Sequence, residues 1–543
     1  MTRSSFLAVF AVAALLGISP SAAPQDEKEP KKDDYKEKTA KHREDVTRMR
    51  GLEFKSDVTV GAYSKQELIE FLRTEFEKDL PKEKAEKYQR GYAKFGLIPA
   101  NLDIYESYLE LFGSSIAGFY HPKTKELRLI RPGEGKDAEE EAFKAAGIDL
   151  ERITLVHELT HAAQDQNFEL STLPIEDETN DDLILALKGV IEGDASVVGW
   201  KYGLGDRFDQ MIGIFNTTYK TGALPGKAGK LPAYMRQTLT FPYGWGTEFV
   251  LKVLKATNGE LKDITKMFKD FPLSSEQVLH PEKYYDKEKR DNPILVTMPD
   301  LEKLFGGPWK EAFNNVHGEF VTKILLREFR GDRLRIGMID RAAEGWGGDR
   351  YVVLDGEPMS VLNKFVCPAC DLRQDDKGKC PRCDKRLKPM DKYERINTAY
   401  VWYSTWDTEK DAKEFYDAYC VALESKYVQE AKDGERETKT AFSTQTGLVQ
   451  AELRGKDVLV FDGASESMIE KAGAVWKGTK KVEMTGIERL KKFVCEKDGV
   501  KEAFSGKCPK CGKDLKFQDS DDKDKPATPE KKKKREYRVG ADR

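Results

Sequence analysis

Two histidines and a glutamate in the segment His157-Glu158-Leu159-Thr160-His161 could together bind and use a metal ion. Residues four positions apart share one face of a helix, so both histidines can direct ring nitrogens at the same ion. Glu158 follows the first histidine and could take a proton from a water on that ion. The chain has 6 histidines in 543 residues, so chance rarely produces this spacing. The segment therefore predicts a hydrolytic zinc site.

A tetrahedral catalytic zinc needs a third protein ligand and one open position. Residues 182–198 are mostly apolar and predict a buried helix, in which an acidic side chain needs a partner or a metal. Glu192 is the predicted third ligand, although it could also mark only the polar side or the end of that helix. Asp194 is a candidate for a supporting contact or a helix cap. Asp165, one turn after His161, could hold that imidazole in its ligating tautomer, or could be a solvated helix residue.

The HExxH motif followed by a helix with Glu192-Gly193-Asp194-Ala195 resembles the gluzincin branch of zinc metallopeptidases. The chain is more closely similar to a largely uncharacterised bacterial group of metallopeptidases. The segments that carry this similarity span most of the chain: 157–166, 191–195, 275–284, 345–351 and 406–412. The resemblance implies a zincin-like fold, a catalytic zinc ion and a peptide or protein substrate. The chain departs from the gluzincin Glu-x-x-x-Asp pattern at Ser196, so the residue that supports the metal ligands remains open.

Other parts of a peptidase can also be assigned. Peptide hydrolysis needs a donor for the developing oxyanion, and the resemblance makes His280 the leading candidate. The alternatives are three tyrosines, namely Tyr284, Tyr243 and Tyr120. Residues 116–120 and 126–130 predict a β-hairpin, whose edge could pair with an extended peptide if it lies beside the metal. The hairpin could equally be purely structural.

The amino-terminal residues predict export. Arg3 precedes an apolar run over 6–16 and small residues over 19–23, which is the layout of a secretory signal peptide cleaved after Ala22 or Ala23. No later stretch approaches the length of a transmembrane helix. The expected location is therefore periplasmic or extracellular, without a transmembrane segment.

Composition and periodicity predict an α+β protein of several parts. The 91 basic and 94 acidic residues nearly cancel, which argues against nucleic acid as a partner. We expect a mainly helical zincin-like metallopeptidase domain with a small sheet, a following α+β unit and two small cysteine-rich ribbon modules. Nothing in the sequence predicts the oligomeric state. The expected boundaries are a signal peptide (1–23), a charged linker (24–45), the metallopeptidase domain (46–356), an inserted four-cysteine ribbon (357–392), an α+β unit that completes the peptidase region (393–478), a second cysteine-rich module (490–517) and a disordered basic tail (518–543).

Seven of the 8 cysteines form two clusters of similar sequence. The clusters are Cys367-Pro-Ala-Cys370 with Cys380-Pro-Arg-Cys383, and Cys495 with Cys508-Pro-Lys-Cys511. Both resemble short heavy-metal-binding domains of bacterial metal-efflux proteins, which implies zinc or another soft or borderline metal. The first cluster offers four thiolates. The second offers three, with a carboxylate or solvent as the fourth ligand. Disulfide pairing is the alternative in an exported protein.

These features together predict an exported zinc-dependent peptidase in which the metal activates water and Glu158 is the general base. The alternative is an extracytoplasmic protein that binds or senses heavy metals and uses the peptidase-like domain as a scaffold. The intact Glu158 favours the enzyme, because a pure binding site does not require a general base.

Overall fold

The computed structural model describes sixteen stretches of the chain: residues 10–13, 32–122, 124–130, 143–175, 177–224, 226, 228–330, 333–361, 365–369, 373–374, 377–381, 383–389, 393–427, 437–489, 493–502 and 507–517. The predicted basic tail, Cys370 and most of the predicted signal peptide lie outside these residues. Among the helices in the described ranges, none has both the length and the apolarity that a membrane span requires.

The first two thirds of the chain are mainly helical. The helices are α1 (Lys32–Arg50), α2 (Lys65–Asp79), α3 (Lys82–Phe95), α4 (Ile104–Ser115), α5 (Leu150–Phe168), α6 (Asp181–Leu204), α7 (Phe208–Thr221), α8 (Ala233–Phe241), α9 (Thr247–Ala256), α10 (Ser275–Leu279), α11 (Glu282–Tyr285), α12 (Leu301–Phe305), α13 (Gly318–Glu328) and α14 (Ile336–Ala343). A π-helix, Pro242–Gly246, joins α8 to α9. Short 3₁₀ turns cover Leu170–Thr172, Gly205–Arg207, Ala228–Lys230 and Leu261–Lys266. The helices of the last third are α15 (Glu409–Tyr427), α16 (Glu466–Glu470) and α17 (Ala472–Gly478).

The strands form small sheets around one larger sheet, which confirms the α+β class. The strands are β1 (Phe10–Ala13), β2 (Thr59–Tyr63), β3 (Ile116–His121), β4 (Glu126–Ile130), β5 (Ile294–Thr297), β6 (Lys310–Asn315), β7 (Trp346–Val361), β8 (Phe365–Val366), β9 (Arg373–Gln374), β10 (Lys388–Pro389), β11 (Tyr393–Trp406), β12 (Lys439–Thr444), β13 (Gly447–Arg454), β14 (Asp457–Ala464), β15 (Lys480–Glu483), β16 (Phe493–Val494), β17 (Lys501–Glu502) and β18 (Lys516–Phe517). The large antiparallel sheet has the order β12-β13-β14-β11-β7-β6. A four-stranded sheet has the order β1-β3-β4-β2, and its β3–β4 pair is the predicted hairpin.

Alternating residues on β11 bury the two faces of the large sheet in different cores. Tyr400 and Trp402 belong to the core shared with the helical part, and the Tyr400 ring stacks on Phe95 of α3 with centroids 3.9 Å apart. Val401 and Tyr403 face a second core built with α12, α16 and α17. This period of two is the expected consequence of strand geometry. The sheet therefore packs against α3, in the same apolar core that includes residues of the two helices carrying the predicted metal ligands.

Helix α1 stands where the sequence predicts a charged linker. Although the segment is rich in Lys, Asp and Glu, one of its faces is buried through Thr39, His42, Val46 and Arg50. These positions are three or four apart, so a single helical stripe packs inward while the charged residues remain outside. The abundance of charge hid this short stripe from the sequence-based prediction.

The first cysteine module lies at the tip of the long hairpin formed by β7 and β11. Val361 pairs with Tyr393, and the chain between them contains β8, β9 and β10 in a separate three-stranded sheet. The second module has an equivalent sheet in the order β17-β16-β18. The two modules thus repeat one small fold, as the sequence repeat predicts.

Candidate metal centre

Two long helices bring the three predicted ligands together. The Nε2 atoms of His157 and His161 on α5 lie 3.0 Å apart, and Oε2 of Glu192 on α6 lies 3.1 Å and 3.2 Å from them, respectively. All three side chains are buried. This group, called the metal triad below, has the two nitrogen donors and one carboxylate that suit a zinc site with an open position.

The tautomer of His161 is set by Gln164, one turn further along α5. The Gln164 amide nitrogen donates to the Ile191 carbonyl (3.0 Å) and to Asp194 Oδ2 (2.9 Å), which directs its oxygen Oε1 at His161. Oε1 accepts a hydrogen bond from Nδ1 of His161 at 2.9 Å. With Nδ1 as donor, the Nε2 atom of neutral His161 carries a lone pair directed at the Glu192 carboxylate. Two acceptors in contact need a cation or a shared proton between them, and this requirement fits a metal ion.

The charges inside the metal triad are strongly coupled. Burial alone lowers the pKa of His161, but the charge of Glu192 and its hydrogen bond outweigh burial and raise this pKa to about 9. Burial likewise raises the pKa of Glu192, yet the charge of His161 and hydrogen bonds from both histidines lower it to about 2. The metal-free triad therefore retains a proton that a metal ion would displace.

A buried ion pair between Asp194 and Arg50 holds Gln164 in the position that fixes the His161 tautomer. Asp194 accepts from Gln164 and also from Nε of Arg50, at 2.7 Å through Oδ1. Both Asp194 and Arg50 have 0% of their surface exposed. Sequence reasoning identified Asp194 as a supporting candidate but missed Gln164 and Arg50. The spacing of Gln164 from His161 could have pointed to the former, whereas Arg50 lies at the end of a charged segment and carries no local signal.

Glu158 is held beside the metal triad by the hairpin. Its Oε2 accepts a hydrogen bond from the backbone N–H of Tyr120 on β3 at 2.7 Å, and the side chain is fully buried. Asp165 does not contact His161 through a hydrogen bond. It accepts instead from the Tyr120 hydroxyl (2.8 Å), from Lys125 (2.5 Å) and from the Leu170 backbone (3.2 Å). Asp165 therefore anchors β3 to α5, and β3 in turn positions Glu158.

Glycines allow the π-helix to approach the metal triad. A Cβ atom on Gly193, next to Glu192, would lie 2.5 Å from the carbonyl oxygen of Gly246, and one on Gly246 would lie 2.3 Å from that of Gly189. Only glycine fits such contacts between backbones. The close approach sets Tyr243 beside the ligands, with its ring centroid 6.4 Å from that of His157. Such π-helical turns occur frequently at functional sites.

The four candidate oxyanion donors lie in different surroundings. His280 Nε2 pairs with Glu319 at 3.0 Å, the Tyr284 hydroxyl donates to the Asp270 carbonyl at 2.7 Å, and the Tyr120 hydroxyl is bound to Asp165. Burial raises the pKa of Tyr243 well above its ordinary value, and the nearby charges of Glu192 and Glu158 raise it further. Its phenol therefore stays protonated, and it is hydrogen-bonded to the Glu192 carboxylate. Tyr243 thus lies beside two residues of the metal triad, whereas the hydrogen bond given for the His280 ring is to Glu319.

A cavity of about 190 Å³ lies beside α6, and Glu192 is one of its lining residues. The helix contributes residues from a single face, namely Asp181, Ile184, Leu185, Lys188 and Glu192. The remaining wall is rich in tyrosine, with Tyr88, Tyr92, Tyr108, Tyr234, Tyr243 and Tyr351. Glu192 and Tyr243 line this cavity and also lie at the metal centre, so the cavity adjoins the candidate site. Sequence analysis did not predict it, since its walls come from distant segments.

The cysteine modules form two further groups of metal-binding type. Cys367, Cys380 and Cys383 converge with donor atoms within 4.8 Å of one another, while Cys370 lies outside the described residues. In the second module Asp498 joins the three cysteines at the same spacing, and its Oδ2 lies 3.6 Å from Sγ of Cys495 and of Cys508. Asp498 is therefore the candidate fourth ligand, a position that the sequence left open between a carboxylate and solvent.

The sulfur spacing in both modules differs from that of a disulfide. Sγ of Cys367 lies 3.4 Å from Sγ of Cys383, and the corresponding distance between Cys495 and Cys511 is 3.5 Å. A disulfide bond would require about 2 Å. The modules also share a turn over the second cysteine pair. The backbone N–H of Asp384 donates to the Cys380 carbonyl (2.8 Å), and that of Gly512 donates to the Cys508 carbonyl (2.9 Å). The repeated geometry favours metal binding.

The comparison with known protein families gives a match over part of the large sheet. A family described as "Domain of unknown function (DUF8575)" matches residues 386–472, which contain β11, α15 and β12 to β14. No curated protein and no solved structure matches the chain. The family match does not include any residue of the metal triad.

Proposed function

We propose that this chain is an exported zinc-dependent peptidase with its active site at the metal triad. The observation that carries the proposal is the convergence of His157, His161 and Glu192, with Glu158 fixed beside them by the Tyr120 N–H. The gluzincin resemblance of the HExxH and Glu192-Gly-Asp-Ala segments agrees with this reaction class. The exported location rests on the sequence of residues 1–23 alone.

The proposed mechanism assigns one role to each group. A zinc ion held by the metal triad would supply Lewis acidity for the scissile carbonyl and for the attacking water. Glu158 takes the proton of that water and passes it to the leaving amine. The Tyr243 phenol donates a hydrogen bond to the oxyanion, which needs a donor in a water-excluded site. Gln164 and Asp194 keep His161 in its ligating tautomer.

Strand β3 offers a way to hold an extended substrate. Its outer edge pairs in antiparallel register with β1, where Tyr120 stands opposite Phe10 and Phe119 opposite Ala11. Strand β1 falls within the predicted signal peptide, so signal cleavage would leave this edge for a peptide that adds itself as a strand. Because β3 also holds Glu158, a peptide bound there would lie next to the general base.

The proposal is tested with the purified mature protein and a peptide library. We expect the zinc-loaded wild type to cleave, and Glu158→Gln to keep its zinc while losing activity by about 10³-fold or more. Glu151→Gln is the matched control, since this exposed glutamate lies on the same helix. Equal cleavage by wild type and Glu158→Gln, or no cleavage by any zinc-loaded protein, would contradict the peptidase mechanism.

A second candidate function is extracytoplasmic binding or sensing of heavy metals. The two cysteine modules favour it, because Cys495, Asp498, Cys508 and Cys511 form a complete four-donor group. We propose zinc or another soft or borderline metal at both modules. The two functions separate in the same assay, since a sensor would bind metal at the modules without cleaving any peptide.

A further inference from the structure

We propose that the tyrosine-lined cavity beside Glu192 binds the carboxyl-terminal residue of the substrate, with an aromatic side chain among the tyrosines and the free α-carboxylate on Lys188. This inference rests on the proposed peptidase function and names its substrate class. Three features of the cavity carry it: the position of Lys188 on α6, the state of its ammonium group and the character of the remaining wall.

Lys188 lies one helical turn before Glu192 on the same face of α6, and both side chains line the cavity. Four residues of α-helix advance about 6 Å along the axis. In a peptide, the carboxyl carbon of the last residue lies only two backbone bonds beyond the nitrogen of the scissile bond. A peptide whose last bond lies at the metal triad therefore brings its terminal carboxylate within reach of the Lys188 side chain.

The ammonium group of Lys188 has no hydrogen bond or ion pair with any residue in the described part of the chain. Its nearest acidic neighbours, Glu192 and Asp181, act on it only through space. A metal ion bound by the triad would neutralise the charge of Glu192. Lys84, the other lysine in the cavity wall, is already paired with Glu178. Lys188 is thus the cation left to receive an anionic ligand.

The remaining wall suits an aromatic ring. Apolar cavities of about 150 Å³ can hold a benzene molecule, so a cavity of about 190 Å³ accommodates one aromatic side chain. Tyr88, Tyr92 and Tyr234 offer ring faces and edges for such a group. His317 also lines the cavity, and its Nε2 is buried without a hydrogen-bond partner among the described residues. This nitrogen offers a polar contact that the protein itself leaves unused.

Binding of small probes tests the pocket independently of turnover. Zinc-loaded Glu158→Gln protein is titrated calorimetrically with N-acetyl-phenylalanine and with N-acetyl-phenylalanine amide. We expect the acid to bind about tenfold or more tightly than the amide, because a charge-assisted hydrogen bond is lost in the amide. Adding Lys188→Met should abolish this difference, whereas Lys201→Met, an exposed lysine on the same helix, should preserve it. Zinc content and thermal unfolding establish that each variant is folded.

Several outcomes would overturn the assignment. Equal binding of acid and amide, or an unchanged preference in Lys188→Met, removes the role of Lys188. Tighter binding of N-acetyl-glutamic acid α-amide than of N-acetyl-phenylalanine shows that the recognised carboxylate comes from a side chain. If the probes bind as expected but peptides with a free aromatic carboxyl terminus are not cleaved by the wild type, the pocket stands and the peptidase function fails. Cleavage without probe discrimination gives the opposite result.

Discussion

The metal triad and a second cluster of acidic side chains differ in what stands at their centre. Glu276, Asp291 and Asp407 also converge with donor atoms within 4.8 Å, as in a metal site. Here the Lys283 ammonium donates to all three, at 2.7 Å, 2.8 Å and 3.0 Å. Burial lowers the pKa of Lys283, but the charge of Glu276 and its neighbours raises it above its ordinary value. This carboxylate cluster is an ion-pair network closed by the protein's own cation.

Ligand types alone therefore do not define a metal centre. In the carboxylate cluster, the Lys283 ammonium supplies the charge and hydrogen bonds that the three carboxylates need. The metal triad instead directs acceptor atoms at a common point. Outer contacts reinforce this distinction, because Gln164 and Asp194 fix the His161 tautomer that exposes Nε2. A metal centre is therefore recognised by donors whose partners force their lone pairs inward.

The largest effect is expected when the Lys283 ammonium is removed from the carboxylate cluster. Lys283→Met leaves Glu276, Asp291 and Asp407 in contact with no counter-charge, and we expect a loss of about 3–5 kcal/mol in the free energy of unfolding. Millimolar Ca²⁺ should restore part of the loss, because carboxylate oxygens bind this ion. Denaturant unfolding with and without Ca²⁺ measures both effects. The exposed Lys289→Met is the control and should change stability by under about 0.5 kcal/mol. A loss below about 1 kcal/mol in Lys283→Met would show that the lysine does not hold the cluster together.

A smaller effect is expected when an outer contact of the metal triad is removed. Gln164→Leu deletes the acceptor for His161 Nδ1 and one partner of Asp194, while the three ligands stay intact. We expect zinc affinity at this site to fall about 10- to 100-fold. Competition with a chromogenic chelator gives the affinity. The control is Gln166→Leu on the same helix, a half-buried glutamine whose side chain hydrogen-bonds the Ser56 backbone rather than the metal triad. Unchanged affinity would mean that the ligands alone set the His161 tautomer.

Local patterns predicted the parts of the site that depend on neighbours in sequence. The helix bearing His157 and His161, the β3–β4 hairpin and the knuckles of the cysteine modules all follow from spacing over a few residues. The contact between Arg50 and Asp194, the cavity at Lys188 and the closure of the carboxylate cluster by Lys283 join segments far apart in the chain. The periodicity of apolar residues in the sequence does not predict such contacts, since they depend on how distant helices pack against one another.

The second cysteine module has a third kind of ligand set, because it combines three thiolates with the Asp498 carboxylate. Asp498→Cys would give it the four thiolates that the sequence of the first module offers, and soft thiolate ligands favour zinc and Cu(I) over harder ions. We expect Asp498→Cys to raise zinc affinity and Asp498→Ala to lower it, each on the order of tenfold. The control is Asp514→Ala, which changes an exposed aspartate of the same module and should leave the zinc affinity unchanged. Metal titration with a zinc indicator measures all three variants. The metal triad is disabled by His161→Ala and the first module by Cys367→Ser with Cys383→Ser, so that only the second module is titrated. If Asp498→Ala binds zinc as tightly as wild type, Asp498 is a neighbour of the thiolates rather than a ligand, and the second module is a three-thiolate site.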